Sequence, residues 1–136
     1  MNKIIKVVGA AIIQDGKLFV AKRSTGRSLG DLWEFAGGKI EKNETGPEAL
    51  KREIFEEFGA ECEVAEEFKS VYEHSYDFGT VVLEVFYAKL TSPITKMIEH
   101  DETRWVDEIE VQELAWVPTD IPAMQDLVKK GFKADE

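Results

Sequence analysis

The sequence predicts a mixed α/β domain, and three observations support that fold class. Several stretches rich in Val, Ile, Phe and Tyr have the composition of strands. Residues 46–58 have the caps and the periodicity of an amphipathic helix, and a second helix is indicated near the end of the chain. The length of 136 residues fits one domain with one hydrophobic core. We therefore expect a single domain over residues 1–136, with several strands and two substantial helices.

The first two predicted strands form a hairpin, because Asp15-Gly16 stands as a turn signal between two apolar runs. The predicted strands are 3–13, 18–21, 32–35, 63–76, 80–90 and 103–106. Residues 91–101 are expected to form a connecting loop. A short helix is expected at 108–114, and a longer one from Thr119 or Asp120 to about Lys130, followed by a loose tail at 131–136.

The central helix is predicted over Gly46–Phe58 from signals at both of its ends. Thr45 with Glu48 three residues later is a capping-box pattern, and Pro47 is compatible with a first helical turn. Gly59 is a typical stop signal.

Composition limits the partners of the chain. With 27 acidic and 17 basic residues, the net charge is −10, so no broad basic surface for polymeric nucleic acid is expected. No apolar stretch approaches the roughly 20 residues of a membrane span. The apolar run 7–13 is short and lacks a convincing signal-peptide cleavage pattern. We expect a cytoplasmic protein, monomeric or homodimeric, without a membrane partner.

Three glutamates share one flank of the predicted central helix. At about 100° per residue, an apolar stripe forms from Leu50, Ile54, Phe55 and Phe58. The flank beside it contains Glu53, Glu56 and Glu57. A solvated acidic surface with an Arg52–Glu56 pair is one interpretation. The other is a site for a hard divalent cation, because like charges about 4 Å apart repel by roughly 1 kcal/mol in water and about 4 kcal/mol at a protein surface.

The residues around these glutamates favour the cation site. The fixed positions are Gly38, Glu44, Arg52-Glu53-Ile54, Glu56-Glu57 and Gly59-Ala60. This pattern, over residues 38–60, resembles the signature of the Nudix hydrolases, which cleave nucleoside diphosphates linked to another group. Ala60 departs from it, because a larger aliphatic residue is usual there. The resemblance implies the Nudix fold, a mixed β-sheet sandwiched between helices.

The resemblance also implies roles for the residues of this signature, which is called the box below. Divalent cations, Mg²⁺ first and Mn²⁺ as the alternative, are expected to bind Glu53, Glu56, Glu57 and the backbone carbonyl of Gly37. The same glutamates are expected to activate water. Arg52 and Glu44 resemble the pair that orients the glutamates by salt bridging, so both are counted among the catalytic candidates.

Outside the box, the sequence is similar to MutT-like nucleoside triphosphate pyrophosphohydrolases, and "LWEFAGGK" at 32–39 resembles the CTP pyrophosphohydrolase branch. Glu99, six residues before Trp105, resembles the additional glutamate that binds metal or acts as a base in MutT-like enzymes; the alternative is an ordinary loop carboxylate. The candidate substrate contacts are Arg23, Phe35, Gly38, Lys39, Phe78 and Asp120. Asp120 is also a candidate helix cap, and the aromatic residues are candidates for the core.

The expected activity is Mg²⁺-dependent hydrolysis of a nucleoside triphosphate to the monophosphate and pyrophosphate. The substrate that the resemblance implies is a CTP-like or oxidised purine nucleotide, and the sequence does not decide between them. One alternative is another diphosphate substrate, such as ADP-ribose or a dinucleoside polyphosphate. A second is a non-catalytic nucleotide-sensing module, which usually lacks some of the box glutamates that are all present here.

Overall fold

A mixed β-sheet lies between two α-helices in the computed structural model, which describes residues 3–65 and 70–132. The strands are β1 (Ile4–Gln14), β2 (Lys17–Arg23), β3 (Trp33–Lys39), β4 (Cys62–Val64), β5 (Ser70–Tyr76), β6 (Gly79–Leu90) and β7 (His100–Val106). The helices are α1 (Gly46–Phe58) and α2 (Ile121–Lys130), with short 3₁₀ turns at Glu110–Glu113 and Pro118–Asp120. The predicted mixed α/β class is confirmed. None of the helices in these ranges is long and apolar enough to cross a membrane.

The sheet is ordered β4-β6-β1-β3-β2-β7, with β5 pairing alongside β6. Strands β1 and β6 pair in parallel. The pairs β1–β3, β2–β3, β2–β7, β4–β6 and β5–β6 are antiparallel. The predicted turn between β1 and β2 is confirmed, because Asp15 and Gly16 have φ angles of 54° and 77°. This order brings β3, which precedes α1, next to β2 and, through β2, close to β7.

Each face of the sheet carries its own apolar cluster. On the α1 side the buried residues include Phe19, Leu50, Ile54, Phe58 and Phe86. On the α2 side they include Trp33, Phe35, Val85, Met124 and Leu127. Burying apolar surface on both faces is what holds a helix against each side of a sheet.

The ends of α1 are fixed by the signals that predicted them. Thr45 Oγ1 accepts from Glu48 N at 3.2 Å, and Glu48 Oε1 accepts from Thr45 N at 2.9 Å, which completes the capping box. Gly59 ends the helix with a φ angle of 65°. A Cβ at Gly59 would also collide with Thr95 Oγ1. The rotational position of the glutamates is therefore set at both ends of the helix.

Some predicted elements differ from the structure. Phe55 is 54% exposed, so its assignment to the buried stripe is wrong. The tail prediction is wrong at Phe132, which is 4% exposed and donates its N–H to Glu108 Oε2; residues 133–136 lie outside the described part of the chain. The strand predicted at 63–76 is divided between β4 and β5, and its residues 66–69 are likewise not described. Strand β7 begins at His100, inside the predicted loop 91–101.

Replacing the capping side chain should destabilise α1. We expect Thr45→Ala to lower the free energy of unfolding by about 1 kcal/mol, because Glu48 N loses its partner at the helix start. For a domain of this size, Tm should fall by about 3–5 °C in thermal unfolding followed by circular dichroism. Thr45→Ser keeps the hydroxyl and is the matched control. An equal loss of stability in both variants would show that the hydroxyl does not stabilise the helix.

Candidate active site

Helix α1 places the three candidate glutamates in three different environments. Glu57 has 7% of its side chain exposed, whereas Glu53 has 22% and Glu56 has 60%. At about 100° per residue, Glu57 lies closer to Leu50 around the helix than Glu53 or Glu56 does, and the structure buries it accordingly. A buried carboxylate is costly unless it is hydrogen-bonded or paired with a cation. The partners of Glu57 are therefore central to the construction of this site.

Arg52 is the centre of the polar contacts on the exposed side of this flank. Its Nε donates to Glu44 Oε2 at 2.6 Å and its Nη2 donates to Glu44 Oε1 at 2.9 Å, a two-point contact between guanidinium and carboxylate. The hydrogen bonds from Arg52 lower the pKa of Glu44 to about 2, and pairing with Glu44 raises the pKa of Arg52. Because Glu44 precedes α1, this ion pair joins the loop to the helix.

The other donors of Arg52 reach two of the candidate ligands. Nη1 donates to Glu53 Oε2 at 3.0 Å and to Glu56 Oε1 at 3.2 Å, while Nη2 also donates to the Lys39 carbonyl at 3.0 Å. One planar guanidinium thus holds two carboxylates of the helix and the end of β3. These are the contacts that an orienting residue needs.

Strand β3 passes close to the helix at Gly37 and Gly38. A Cβ at Gly38 would collide with the Glu53 carboxyl group, and a Cβ at Gly37 would collide with the Val8 carbonyl oxygen. Neither position has room for a side chain, so the bare backbone of β3 lies against Glu53.

The segment before β7 is attached to Glu57. The backbone N–H groups of Ile98 and Glu99 donate to Glu57 Oε2 at 2.9 and 2.6 Å. The Glu99 side chain is 62% exposed, and its carboxylate pairs with Arg27 at 3.5 Å. The structure therefore brings Glu99 beside Glu57, although 42 positions separate them in the chain.

Two residues that the sequence analysis did not assign complete this network. His100 lies between Glu57 and Glu34, with Nδ1 3.0 Å from Glu57 Oε2 and Nε2 2.8 Å from Glu34 Oε2. Burial acts to lower the pKa of His100, but the hydrogen bonds and charges of Glu34 and Glu57 outweigh it, so that pKa is raised. The sequence signal that could have identified Glu34 is its place between two large apolar residues, Trp33 and Phe35, both of which are buried in the structure.

The donor set fits a hard divalent cation. Among residues 3–65 and 70–132, no three His, Cys, Asp or Glu side chains already converge on one metal-binding point. Within those ranges, however, the hydrogen bonds to Glu53, Glu56 and Glu57 each use a single carboxylate oxygen. Glu53 Oε1, Glu56 Oε2 and Glu57 Oε1 accept none from the described residues. An all-oxygen set with three such atoms suits Mg²⁺-like ions.

The charges around Glu53 also favour a bound cation. Burial raises the pKa of Glu53, the Arg52 hydrogen bond and charge oppose this, and the charges of Glu56 and Glu99 raise it further. The neighbouring carboxylates thus repel one another in a partly buried place. A bound cation would reverse the sign of that interaction.

The two basic residues among the candidate substrate contacts, Arg23 and Lys39, differ in how far they are exposed. Arg23 Nη1 pairs with Glu34 Oε1 at 3.2 Å, and its Nε donates to the Ser28 carbonyl at 2.8 Å. Lys39 lies at the exposed end of β3. Arg23 is therefore already oriented by the protein, whereas Lys39 is held through its backbone carbonyl by Arg52.

Asp120 occupies the predicted N-cap position of α2, but its side chain makes no capping hydrogen bond. Its Oδ2 accepts from the backbone N–H of Phe35 at 3.0 Å, and the residue is 6% exposed. Burial raises the pKa of Asp120 well above its usual range; the Glu34 charge adds to this, and the Phe35 N–H and Arg23 oppose it. The Phe35 ring itself lies in the core, 5.3 Å from the Trp116 ring.

A stacked aromatic pair, Tyr76 and the exposed Phe78, lies near Asp120. Phe78 is 47% exposed and stacks on Tyr76, with ring centroids 5.0 Å apart and planes at 5°. Tyr76 Oη lies 2.6 Å from Thr119 Oγ1 and accepts from Thr119 N at 3.0 Å. Because Thr119 directly precedes Asp120, the aromatic rings and the buried carboxyl group lie at the same end of the sheet.

Comparison with known proteins identifies the class. Residues 3–127 match the NUDIX domain, and the chain belongs to the Nudix hydrolases. The resemblance found in residues 38–60 is thus confirmed, and the chain is an enzyme of this class. Nudix hydrolases generally need a divalent metal ion.

Particular relatives lie within the MutT-like part of the family. The chain is 33% identical over 123 residues to CTP pyrophosphohydrolase of Escherichia coli K12, covering 90% of each sequence. It is 31% identical over 137 residues to putative 8-oxo-dGTP diphosphatase 2 of Mycobacterium tuberculosis H37Rv, covering 99% of this chain and 96% of that protein. The solution structure of MutT from methicillin-resistant Staphylococcus aureus 252 has 42% identity and a TM-score of 0.77, with coverage of 96% of this chain and 100% of that one.

The Arg52–Glu44 pair should make stability depend on pH. We expect Glu44→Gln to lower Tm near pH 7, because the guanidinium loses its charged partner. The pKa of Glu44 is lowered from 4.5 to about 2 in the folded protein, so the stabilisation is complete above pH 4.5 and lost as pH falls towards 2. The Tm difference between wild type and variant should therefore shrink over that range.

Glu41→Gln is the matched control, because Glu41 is 67% exposed and lies 3.9 Å from Arg52. It should change Tm little at any pH. A Tm difference for Glu44→Gln that stays constant from pH 7 to pH 2.5 would contradict the assignment.

Proposed function

We propose that the chain acts as a single domain over residues 1–136 and hydrolyses a nucleoside triphosphate to the monophosphate and pyrophosphate. The observation that carries this proposal is the contact of Arg52 with Glu44, Glu53 and Glu56 together. A module that merely binds nucleotide does not need a complete set of oriented carboxylates.

We assign the cation to the flank of α1 and the adjoining segment. The residues that would hold Mg²⁺, or Mn²⁺ as the alternative, are Gly37 through its carbonyl oxygen, Glu53, Glu56, Glu57 and Glu99. When bound, a divalent ion polarises phosphate oxygens and lowers the pKa of the attacking water. The carboxylates also accept the proton that this water releases. Arg52 keeps Glu53 and Glu56 turned towards the same side of the helix.

The polyanionic substrate is expected to lie between the glutamates and Asp120. Arg23 and Lys39 would contact phosphate oxygens. The backbone at Gly38, which has no side chain, would let the polyphosphate of the substrate approach closely. Asp120, the Phe35 backbone that holds it and the exposed Phe78 would bind the nucleobase, by hydrogen bonding and by stacking.

The substrate class follows from the named activities of the relatives. The similar proteins of E. coli and M. tuberculosis are named for CTP and for 8-oxo-dGTP. We propose a CTP-like or oxidised purine nucleoside triphosphate as the substrate. The net charge of −10 supports the absence of a polymeric nucleic-acid partner. The cytoplasmic location and the monomeric or homodimeric state stay predictions.

Neutralising a ligand glutamate should abolish most of the activity. We expect Glu53→Gln and Glu57→Gln each to lower kcat by about 10²–10⁴-fold, because each removes a charge that holds the cation or takes up a proton. Pyrophosphate release from a panel of ordinary and oxidised nucleoside triphosphates, with Mg²⁺ and then with Mn²⁺, is the measurement.

Glu63→Gln is the matched control, because Glu63 is exposed on β4 and should be replaceable without loss. Release of orthophosphate alone would refute the proposed reaction. Faster cleavage of ADP-ribose or a dinucleoside polyphosphate than of any triphosphate would favour the alternative substrates, and tight binding without turnover would indicate a sensing module.

Asp120 should determine affinity for the base. We expect Asp120→Ala to lower kcat/KM for the preferred nucleotide by about 10- to 100-fold, mainly through KM, because one buried hydrogen-bonding group is lost. Asp126→Asn is the control, because Asp126 is exposed on α2 and an Asn oxygen can still accept the hydrogen bond from Tyr72 Oη. Steady-state kinetics with two nucleotides that differ only in the base would test this. An equal loss for both bases would show that Asp120 supports the fold rather than the selection of the base.

A further inference from the structure

The contacts of His100 connect Glu57, in the proposed cation site, with β3, the strand that binds Asp120 in the proposed base site. The His100 side chain is 4% exposed and lies between Glu57 and Glu34, with one ring nitrogen on each carboxylate. Each ring nitrogen therefore faces a carboxylate oxygen, an atom that accepts hydrogen bonds. The imidazole also stacks on Phe58, with centroids 5.8 Å apart and planes at 18°. This ring is therefore fixed by partners on three sides.

Glu57 Oε2 receives three donors, namely His100 Nδ1 and the N–H groups of Ile98 and Glu99. Three donors on one oxygen fix the rotation of the carboxylate, and Glu57 Oε1 accepts no hydrogen bond from the described residues. The same contacts fix the segment that carries Glu99.

Glu34 continues this series of contacts from His100 towards Asp120. It accepts from Arg23 Nη1 at 3.2 Å as well as lying 2.8 Å from His100 Nε2. The next residue along β3, Phe35, donates its N–H to Asp120. Glu57 on α1 is thus joined through one imidazole to the strand that holds the proposed base-binding carboxyl group.

We propose that His100 is a positioning residue that holds Glu57 by Oε2, and so presents Oε1 to the divalent cation, while Glu34 holds the imidazole in place. This inference rests on the proposed function, because it takes Glu57 as a cation ligand. Partners of this kind typically change metal affinity by about 10- to 100-fold when they are removed.

Two substitutions of the same residue separate the two contacts. The amide of Asn reaches roughly where Nδ1 of a histidine lies, and the amide of Gln roughly where Nε2 lies. His100→Asn therefore keeps the donor to Glu57 and loses the one to Glu34, whereas His100→Gln does the reverse. Both remove the ring and its stacking on Phe58, so each controls for the general effect of the other.

The measurement is Mn²⁺ binding to the nucleotide-free protein, from the electron paramagnetic resonance signal of free Mn²⁺, with Tm measured alongside. We expect His100→Gln to weaken Mn²⁺ binding by about 10-fold or more and His100→Asn by less than about 3-fold. Equal weakening in both variants, or wild-type binding by His100→Gln, would overturn the inference. Because no nucleotide is used, this result is independent of whether any triphosphate is hydrolysed.

A measurement on the unaltered protein covers the case in which the variants do not fold. The chain has two histidines, and His74 is exposed on β5, where it provides an internal control. Mg²⁺ added to the ¹⁵N-labelled protein should shift the ring resonances of His100 and leave those of His74 unchanged. Saturation of the protein with Mg²⁺ without any shift at His100 would refute the positioning role.

Discussion

Mutual repulsion of carboxylates on one short helix is the physical constraint around which this site is built. Two such groups about 4 Å apart repel by roughly 1 kcal/mol in water and by about 4 kcal/mol at the effective dielectric of a protein surface. Arg52 offsets the repulsion on the exposed side by binding Glu53 and Glu56. On the buried side, His100 and two backbone amides stabilise Glu57. The acidic flank is consequently fixed in orientation.

Strand β3 connects this flank with the opposite layer of the sandwich. Successive side chains of a strand point to opposite faces, so neighbouring residues can serve different layers. The Glu34 carboxylate faces His100 on the α1 side, whereas the Phe35 ring packs in the cluster on the α2 side and its N–H binds Asp120. The contacts that lead to the proposed cation site and to the proposed base site therefore start from adjacent positions of one strand, and a shift of its register would disturb both sets of contacts.

Local signals explain what the sequence predicted well, and tertiary packing explains the rest. The bounds of α1 follow from Thr45, Glu48 and Gly59, which act within a few residues of the helix ends. The Glu34–His100 contact spans 66 positions and depends on how β7, β2 and β3 align, which no local pattern reports. Asp120 stands at the predicted N-cap position, but its φ and ψ of −85° and −15° continue a 3₁₀ turn instead of the extended backbone typical of a capping residue, so its side chain binds Phe35 N and not α2. Phe55 is exposed because it lies at the edge of the stripe, beyond the part of the helix that the sheet covers.

The direction of α1 has a consequence of its own. The peptide dipoles of a helix leave about half a negative charge at its C-terminal end, and the last turn of α1 contains no basic residue to neutralise it. The backbone N–H groups of Thr95 and Lys96 donate to the Phe58 carbonyl and so satisfy one of the free carbonyl groups at this end. The backbone itself thus contributes a negative potential beside Glu57, in addition to the side chains. The partial negative charge at this end of the helix therefore acts in the same direction as the carboxylates on any nearby cation.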